Sequence, residues 1–201
     1  MTTQTIKIGP ADHGRRMSLA DFEHAEVKEG RLYELGRGVI IVSDVPGLRH
    51  LMQLNALRRQ LHAYDLQHPG RIHNIAGGSD CKILLADLES ERHPDLAIYK
   101  NPPPEGDDFW ASWIPEIVIE VISPSSEDRD YIEKREEYLR FGVREYWIVD
   151  AEREEVLVLR RSAGRWTERI LRSSDTYRTR LLPEFELVCA PVFEAARTVG
   201  E

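Results

Sequence analysis

Two segments of strand character, PDLAIYK (94–100) and IPEIVIEVI (114–122), carry the carboxylates Asp95 and Glu120. Glu120 interrupts a β-branched run, where an unpaired charge costs on the order of several kcal/mol in desolvation. It must be neutralised, paired or bound to a cation. Residue numbers paired in an antiparallel ladder have a constant sum. If Lys100 faces Pro115 across the connector NPPPEGDDFWASW, that sum is 215, and Asp95 and Glu120 share it. The two acids then stand opposite on one face, with Cβ atoms about 4.5–5.5 Å apart. Like charges that close repel unless something positive lies between them. Two converging carboxylates suit a hard divalent cation such as Mg²⁺. Alternatively, Asp95 caps a turn after Pro94 and Glu120 pairs with an arginine.

Metal-assisted phosphodiester hydrolysis also needs a cation to position water and offset charge growing on the phosphate. The simplest place for it, two residues after Glu120 on the same strand face, holds Ile122. Lys134, on the following helix, is the substitute. Asp130 at i−4 and Tyr138 at i+4 share its face. Alternatively, Lys134 is a surface residue paired with Asp130. Other chemistries find little support. The seven histidines show no HxH or HExxH spacing, and the cysteines form no zinc pattern. IAGGSD lacks the spacing of a phosphate loop, and no GxSxG elbow is present. His93 lies close to Asp95 but carries little weight. Tyr146 and Trp147 read as core, and Arg135, Arg140 and Arg144 as scattered surface.

The elements that must position these groups follow from pattern. Residues 1–17 are polar and expected to be loose, with 18–201 forming a single domain. Ser18-Leu19-Ala20-Asp21 fits a capping box, followed by a short helix to about Val27. GRLYELGRGVIIV reads as a hairpin turning at Gly36/Gly38. His50, Leu54, Leu57 and Leu61 form one helical stripe, on which His50 reads as a core histidine. Residues 81–88 and 94–100 read as strands. After the Glu120 strand, Ser125 or Ser126 caps a helix that ends at Phe141, stopped by Gly142. REYWIVD, EEVLVLRR and GRWTERILR are further strands, and the tail adds a short strand and a turn of helix. Interleaved strands and helices predict a mixed β-sheet flanked by helices, an α/β (α+β) domain.

Composition narrows the class. Hydrophobic residues at 41% and charged residues at 31% support a soluble, cored domain, and no run approaches a membrane span. The N-terminus lacks an apolar signal core, so export is not expected. Two distant cysteines fit a reducing cytoplasm. A net charge of −8 argues against coating nucleic acid through the overall field. A local groove or a bound metal is still compatible with it.

PDLAIY, PEIVIEVISPSSEDRDYIEKREEYLRFGVREYWIVD and the earlier GRLYELGRGVI resemble the Uma-two family of bacterial endonucleases, within the PD-(D/E)XK, restriction-endonuclease-like superfamily. The match runs from roughly Leu19 to Phe193. The resemblance implies a restriction-endonuclease-like fold and a Mg²⁺- or Mn²⁺-dependent endonuclease acting on DNA. Asp95 and Glu120 are then metal ligands, with the Val121 carbonyl as a further one, and Lys134 is the migrated catalytic lysine. It further implies that Glu34 matches an acid near the metal, and that His50 matches the family's histidine. The ELGRG turn is a variant of the family's usual one. A homodimer would enlarge the DNA footprint of one compact acidic unit. Two other readings remain open: a catalytically silent copy of the fold that binds protein or nucleic acid, and a two-carboxylate glycosidase in which Lys134 has no role.

Overall fold

The computed structural model describes residues 5–106, 108–123 and 126–197. In chain order the elements are β1 (Lys7–Ile8), α1 (Leu19–Glu23), β2 (Glu26–Val27), β3 (Leu32–Gly36), β4 (Val39–Ser43), α2 (Leu48–Gln67), β5 (Asn74–Ala76), β6 (Ile83–Leu85), β7 (Ser90–Arg92), β8 (Leu96–Tyr99) and β9 (Ile117–Val121). Then come α3 (Lys134–Phe141), β10 (Glu145–Asp150), β11 (Glu155–Ser162), β12 (Arg165–Arg172), β13 (Thr176–Arg178), β14 (Glu186–Val188) and α4 (Ala190–Arg197).

Six strands form the main sheet in the order β12-β11-β10-β9-β8-β5. Every pairing in it is antiparallel except β9 with β10. A parallel neighbour requires a crossover, and α3 supplies it. Strand period two divides β9 between two cores. Ile117, Ile119 and Val121 join Leu54, Leu57 and Leu61 of α2 and Val192 and Phe193 of α4. Val118 faces the other way, with Tyr138, Tyr146, Ile83 and Leu85. Glu120 belongs to that second face, under α3. A four-stranded sheet, β4-β3-β7-β6, packs beside α3. The mixed sheet with helical cover is as expected. Among the described residues no helix is long and apolar enough to cross a membrane.

Four local expectations change. Residues 5–17 join the fold instead of hanging free. Ile8 is buried with Leu19, Phe22 and Tyr33, β1 pairs with β2, and Gly14, Arg15 and Arg16 bond along β4. An edge strand with open backbone groups and a single well-placed isoleucine is enough to hold a polar segment. The first helix stops at Glu23, because Val27 is drawn into β2. The hairpin turns at Arg37 and Gly38, both at positive φ (51° and 73°). This two-residue left-handed turn matches strand twist, and Gly36 stays in β3. The strand expected over 81–88 shortens to β6. The proposed cap Ser125 lies outside the described residues, whereas Ser126 accepts the Asp130 N–H on its backbone carbonyl.

Candidate active site

The β8–β9 ladder pairs Leu96 with Ile119, Ala97 with Val118 and Ile98 with Ile117, a constant sum of 215. One step further along stand Asp95 and Glu120, as the register requires. The Asp95 N–H donates to Glu120 Oε2 at 3.3 Å, and the Val121 N–H donates to Asp95 Oδ2 at 2.8 Å. Each acid is therefore tied to the other's strand. His50, in the first turn of α2, brings Nε2 to 3.1 Å from Asp95 Oδ1. Its Nδ1 is buried without a hydrogen-bond partner among the described residues. In the neutral ring this makes Nε2 the donor to the carboxylate. His50 thus leaves the apolar stripe and touches the site. From the other side Gly77 packs on the Asp95 backbone so closely that a Cβ would lie 2.0 Å from its carbonyl oxygen.

Lys134 arrives from α3 through a π-helical turn over Arg129–Glu133, in which the Lys134 N–H donates to the Arg129 carbonyl. Such turns recur at functional sites. Its Nζ donates to Glu120 Oε1 at 2.9 Å and lies 3.0 Å from Asp130 and 3.7 Å from Glu34 Oε1. Tyr138, one turn on, donates its hydroxyl to the same Glu120 Oε1 at 2.6 Å. The i−4 and i+4 neighbours expected beside Lys134 are both in place, and Lys134 is buried, not a surface residue. Burial alone would lower the Lys134 pKa, but Asp130, Glu120 and Glu34 outweigh it and hold the group well above the ordinary lysine range. Burial pushes Glu120 up to about 8. Asp130, Asp95 and Glu34 add to that shift, and Lys134 opposes it.

Glu34 enters from β3. Its Oε1 accepts the His93 N–H at 3.0 Å, and its Oε2 lies 3.4 Å from Arg92 Nη1. Burial would raise its pKa, but Lys134, Arg92 and the His93 N–H bring it down to about 2. Arg92 and Glu137, both fully buried, escape a reading by sequence. Arg92 is one cation in a charged run, and Glu137 is one acid on an acid-rich helix. His93 turns away from Asp95 to the Cys81 carbonyl and Glu91. Arg135 and Arg140 pair with Glu168 and Asp87, while Tyr146 and Trp147 are buried in the core.

Among the described residues no group of three or more His, Cys, Asp or Glu side chains forms a metal cage. The donors available at the end of β9 are all oxygens: the carboxylates of Asp95 and Glu120, and the carbonyl of Val121, the last residue of that strand. Three acids (Glu34, Glu120 and Asp130) crowd one lysine, Asp95 stands beside Glu120, and Glu120 is held away from its charged form. Asp95 retains 21% side-chain exposure. An all-oxygen, charge-deficient, partly open donor set suits a hard divalent cation that keeps several waters.

The family model described as "Uma2: Putative restriction endonuclease" matches residues 19–191. The fold is similar to the crystal structure of "a putative nuclease belonging to DUF820" from Anabaena variabilis. That likeness has a TM-score of 0.71 at 16% identity, covering 90% of this chain and 99% of the other. No curated protein matches the chain.

Proposed function

The chain belongs to the Uma2 family, and from that premise and the site's geometry we propose an endonuclease that hydrolyses DNA phosphodiester bonds. Asp95, Glu120 and the Val121 carbonyl would hold Mg²⁺ or Mn²⁺. The observation that carries this reading is the β8–β9 register, which sets Asp95 opposite Glu120 with Lys134 on the same carboxylate. A bound divalent ion supplies Lewis acidity toward a phosphoryl oxygen and lowers the pKa of water. The protein's own groups divide the remaining work. His50 orients Asp95, while Tyr138 and the Asp95 N–H fix the rotamer of Glu120. Lys134, kept charged by three acids, is a donor and a fixed positive charge for the phosphate. It is not a general base, because an amine must be unprotonated at working pH to accept a proton. Glu34 keeps the ammonium in place from the opposite side.

One observation favours the silent alternative: Lys134 and Tyr138 already satisfy Glu120 Oε1 without an ion. Plasmid nicking with Mg²⁺ or Mn²⁺ separates the two. The expected result is metal-dependent nicking that Glu120→Ala and Asp95→Ala abolish while the circular dichroism spectrum is kept. Equal cleavage by Glu120→Ala would refute the ligand assignment. A parent protein that neither binds Mn²⁺ nor nicks would be the silent copy.

A further inference from the structure

Glu120 comes from the main sheet, Glu34 from the second sheet, and Lys134 from the helix between them. Arg92, on β7, joins the second sheet to that helix. Its Nε and Nη2 close on Glu137 Oε2 and Oε1 at 2.6 and 3.0 Å. Nη2 also reaches Glu133 at 3.2 Å, and Nη1 reaches Glu34 at 3.4 Å. Glu137 in turn accepts the Ser90 hydroxyl of β7 at 3.3 Å. The neighbouring strand leaves room for this guanidinium: a Cβ at Gly36 would lie 2.6 Å from Arg92 Nη2 and 2.8 Å from Ile41 Cδ1. Buried ion pairs contribute little net stability compared with apolar residues of the same shape. Stability alone is therefore a weak reason for an arginine with no exposed side-chain surface shared among three acids.

Building on the nuclease reading, we propose that Arg92, with Glu137, is a positioning residue. It locks β3 and β7 onto α3, so that Glu34 holds the Lys134 ammonium beside Glu120. Arg92 touches neither Asp95 nor Glu120 and acts only through Glu34 and α3.

Two variants test this. In Arg92→Met/Glu137→Met an apolar pair replaces the ionic one, an exchange buried pairs often tolerate. Gly36→Ala keeps every charge but crowds the guanidinium, and carries the test whatever the stability of the pair variant. Expected for both is a kcat for plasmid nicking reduced on the order of tenfold or more, at unchanged KM. Calorimetric Mn²⁺ affinity should stay at the parental value. In a Glu34→Gln background the same changes should add little further loss, since Glu34 is the group through which Arg92 acts. Parental kcat in both variants, or full multiplication of losses with Glu34→Gln, overturns the positioning role. If the parent protein itself fails to nick, the nuclease reading falls, and a crystal structure of the double-methionine variant decides the positioning separately. A Lys134–Glu34 separation still at the parental 3.7 Å overturns it, and an opened one supports it.

Discussion

Replacing Gly77 with alanine would set a methyl carbon 2.0 Å from the Asp95 carbonyl oxygen and 2.8 Å from its carbonyl carbon. The Gly77 backbone is extended (φ 178°, ψ 158°), so alanine meets no torsional penalty and the cost is steric. Ordinary contact begins at 3.4 Å, so the loop after β5 or the start of β8 must move by on the order of 1 Å. Neither moves freely. The Gly78 N–H donates to the Pro94 carbonyl at 2.7 Å, and Ala76 pairs with Ala97. Misplacing a reacting group by about 1 Å costs on the order of 10²-fold in rate. Overpacking adds about 1–3 kcal/mol of destabilisation. Gly78 is the control. Its φ is +60°, and no atom lies within 4 Å of where a Cβ would stand, so alanine there bears only the left-handed cost of about 1–2 kcal/mol. Titration calorimetry with Mn²⁺, plasmid nicking and thermal unfolding should show Gly77→Ala losing metal affinity and roughly 10²-fold in rate. Gly78→Ala should lose stability alone. Equal Mn²⁺ affinity in the two variants would refute the placing of Asp95 by this contact.

Two further outcomes follow from the charges around Glu120. The folded-state pKa of Glu34, about 2, lies below the ordinary 4.5, so its contribution to stability is complete above pH 4.5 and vanishes as pH falls toward 2. The gap corresponds to about 3 kcal/mol. Urea unfolding should find Glu34→Gln less stable than the parent at neutral pH, with the difference closing through that acid window. A pH-independent difference would contradict it. Tyr138→Phe removes the 2.6 Å hydrogen bond to Glu120, worth about 0.5–1.5 kcal/mol for an acceptor held away from its charged form. Its Tm should fall by several degrees, and an unchanged Tm would show that Glu120 finds another donor.

What can be read from sequence follows the reach of each signal. The pairing of Asp95 with Glu120 is legible because a ladder register needs only one anchor, and the strands carry it without a bulge. The stripe of α2 and the Gly142 stop, at φ 109°, are local properties of long elements. Strands β5 and β7 span three residues each, too few for a period of two to declare itself. The order of residues 5–17 depends on Ile8 joining a cluster drawn from four other segments. Arg92 and Glu137 are hidden for the same reason. The partners of Arg92 lie 41 to 58 positions away, and a charged residue in a strand or helix does not show whether it faces water. The π-helical turn before Lys134 leaves no residue signature either.

The placing of Lys134 on a helix and of Ile122 on the Glu120 strand has a physical basis in this packing. Ile122 continues the Glu120 face and packs with Val118, Tyr138 and Tyr146, and its N–H donates to the Val149 carbonyl. A lysine there would put a cation into the apolar floor beneath α3, with no acid row of its own. From α3, Lys134 and Tyr138 lie one turn apart and reach the same Glu120 oxygen. The same helix carries Glu133 and Glu137 to Arg92, so one rigid element registers the ammonium against both sheets. That arrangement constrains the chemistry. Asp130, Glu120 and Glu34 hold the ammonium pKa well above the ordinary lysine range, so on the proposed nuclease reading the proton released on hydrolysis leaves by another route. On that reading Lys134 acts through its charge and its hydrogen bonds. Lys134→Met, which removes both while leaving Asp95 and Glu120 in place, should slow nicking while largely sparing Mn²⁺ affinity. Unchanged turnover would reduce it to a structural counter-ion.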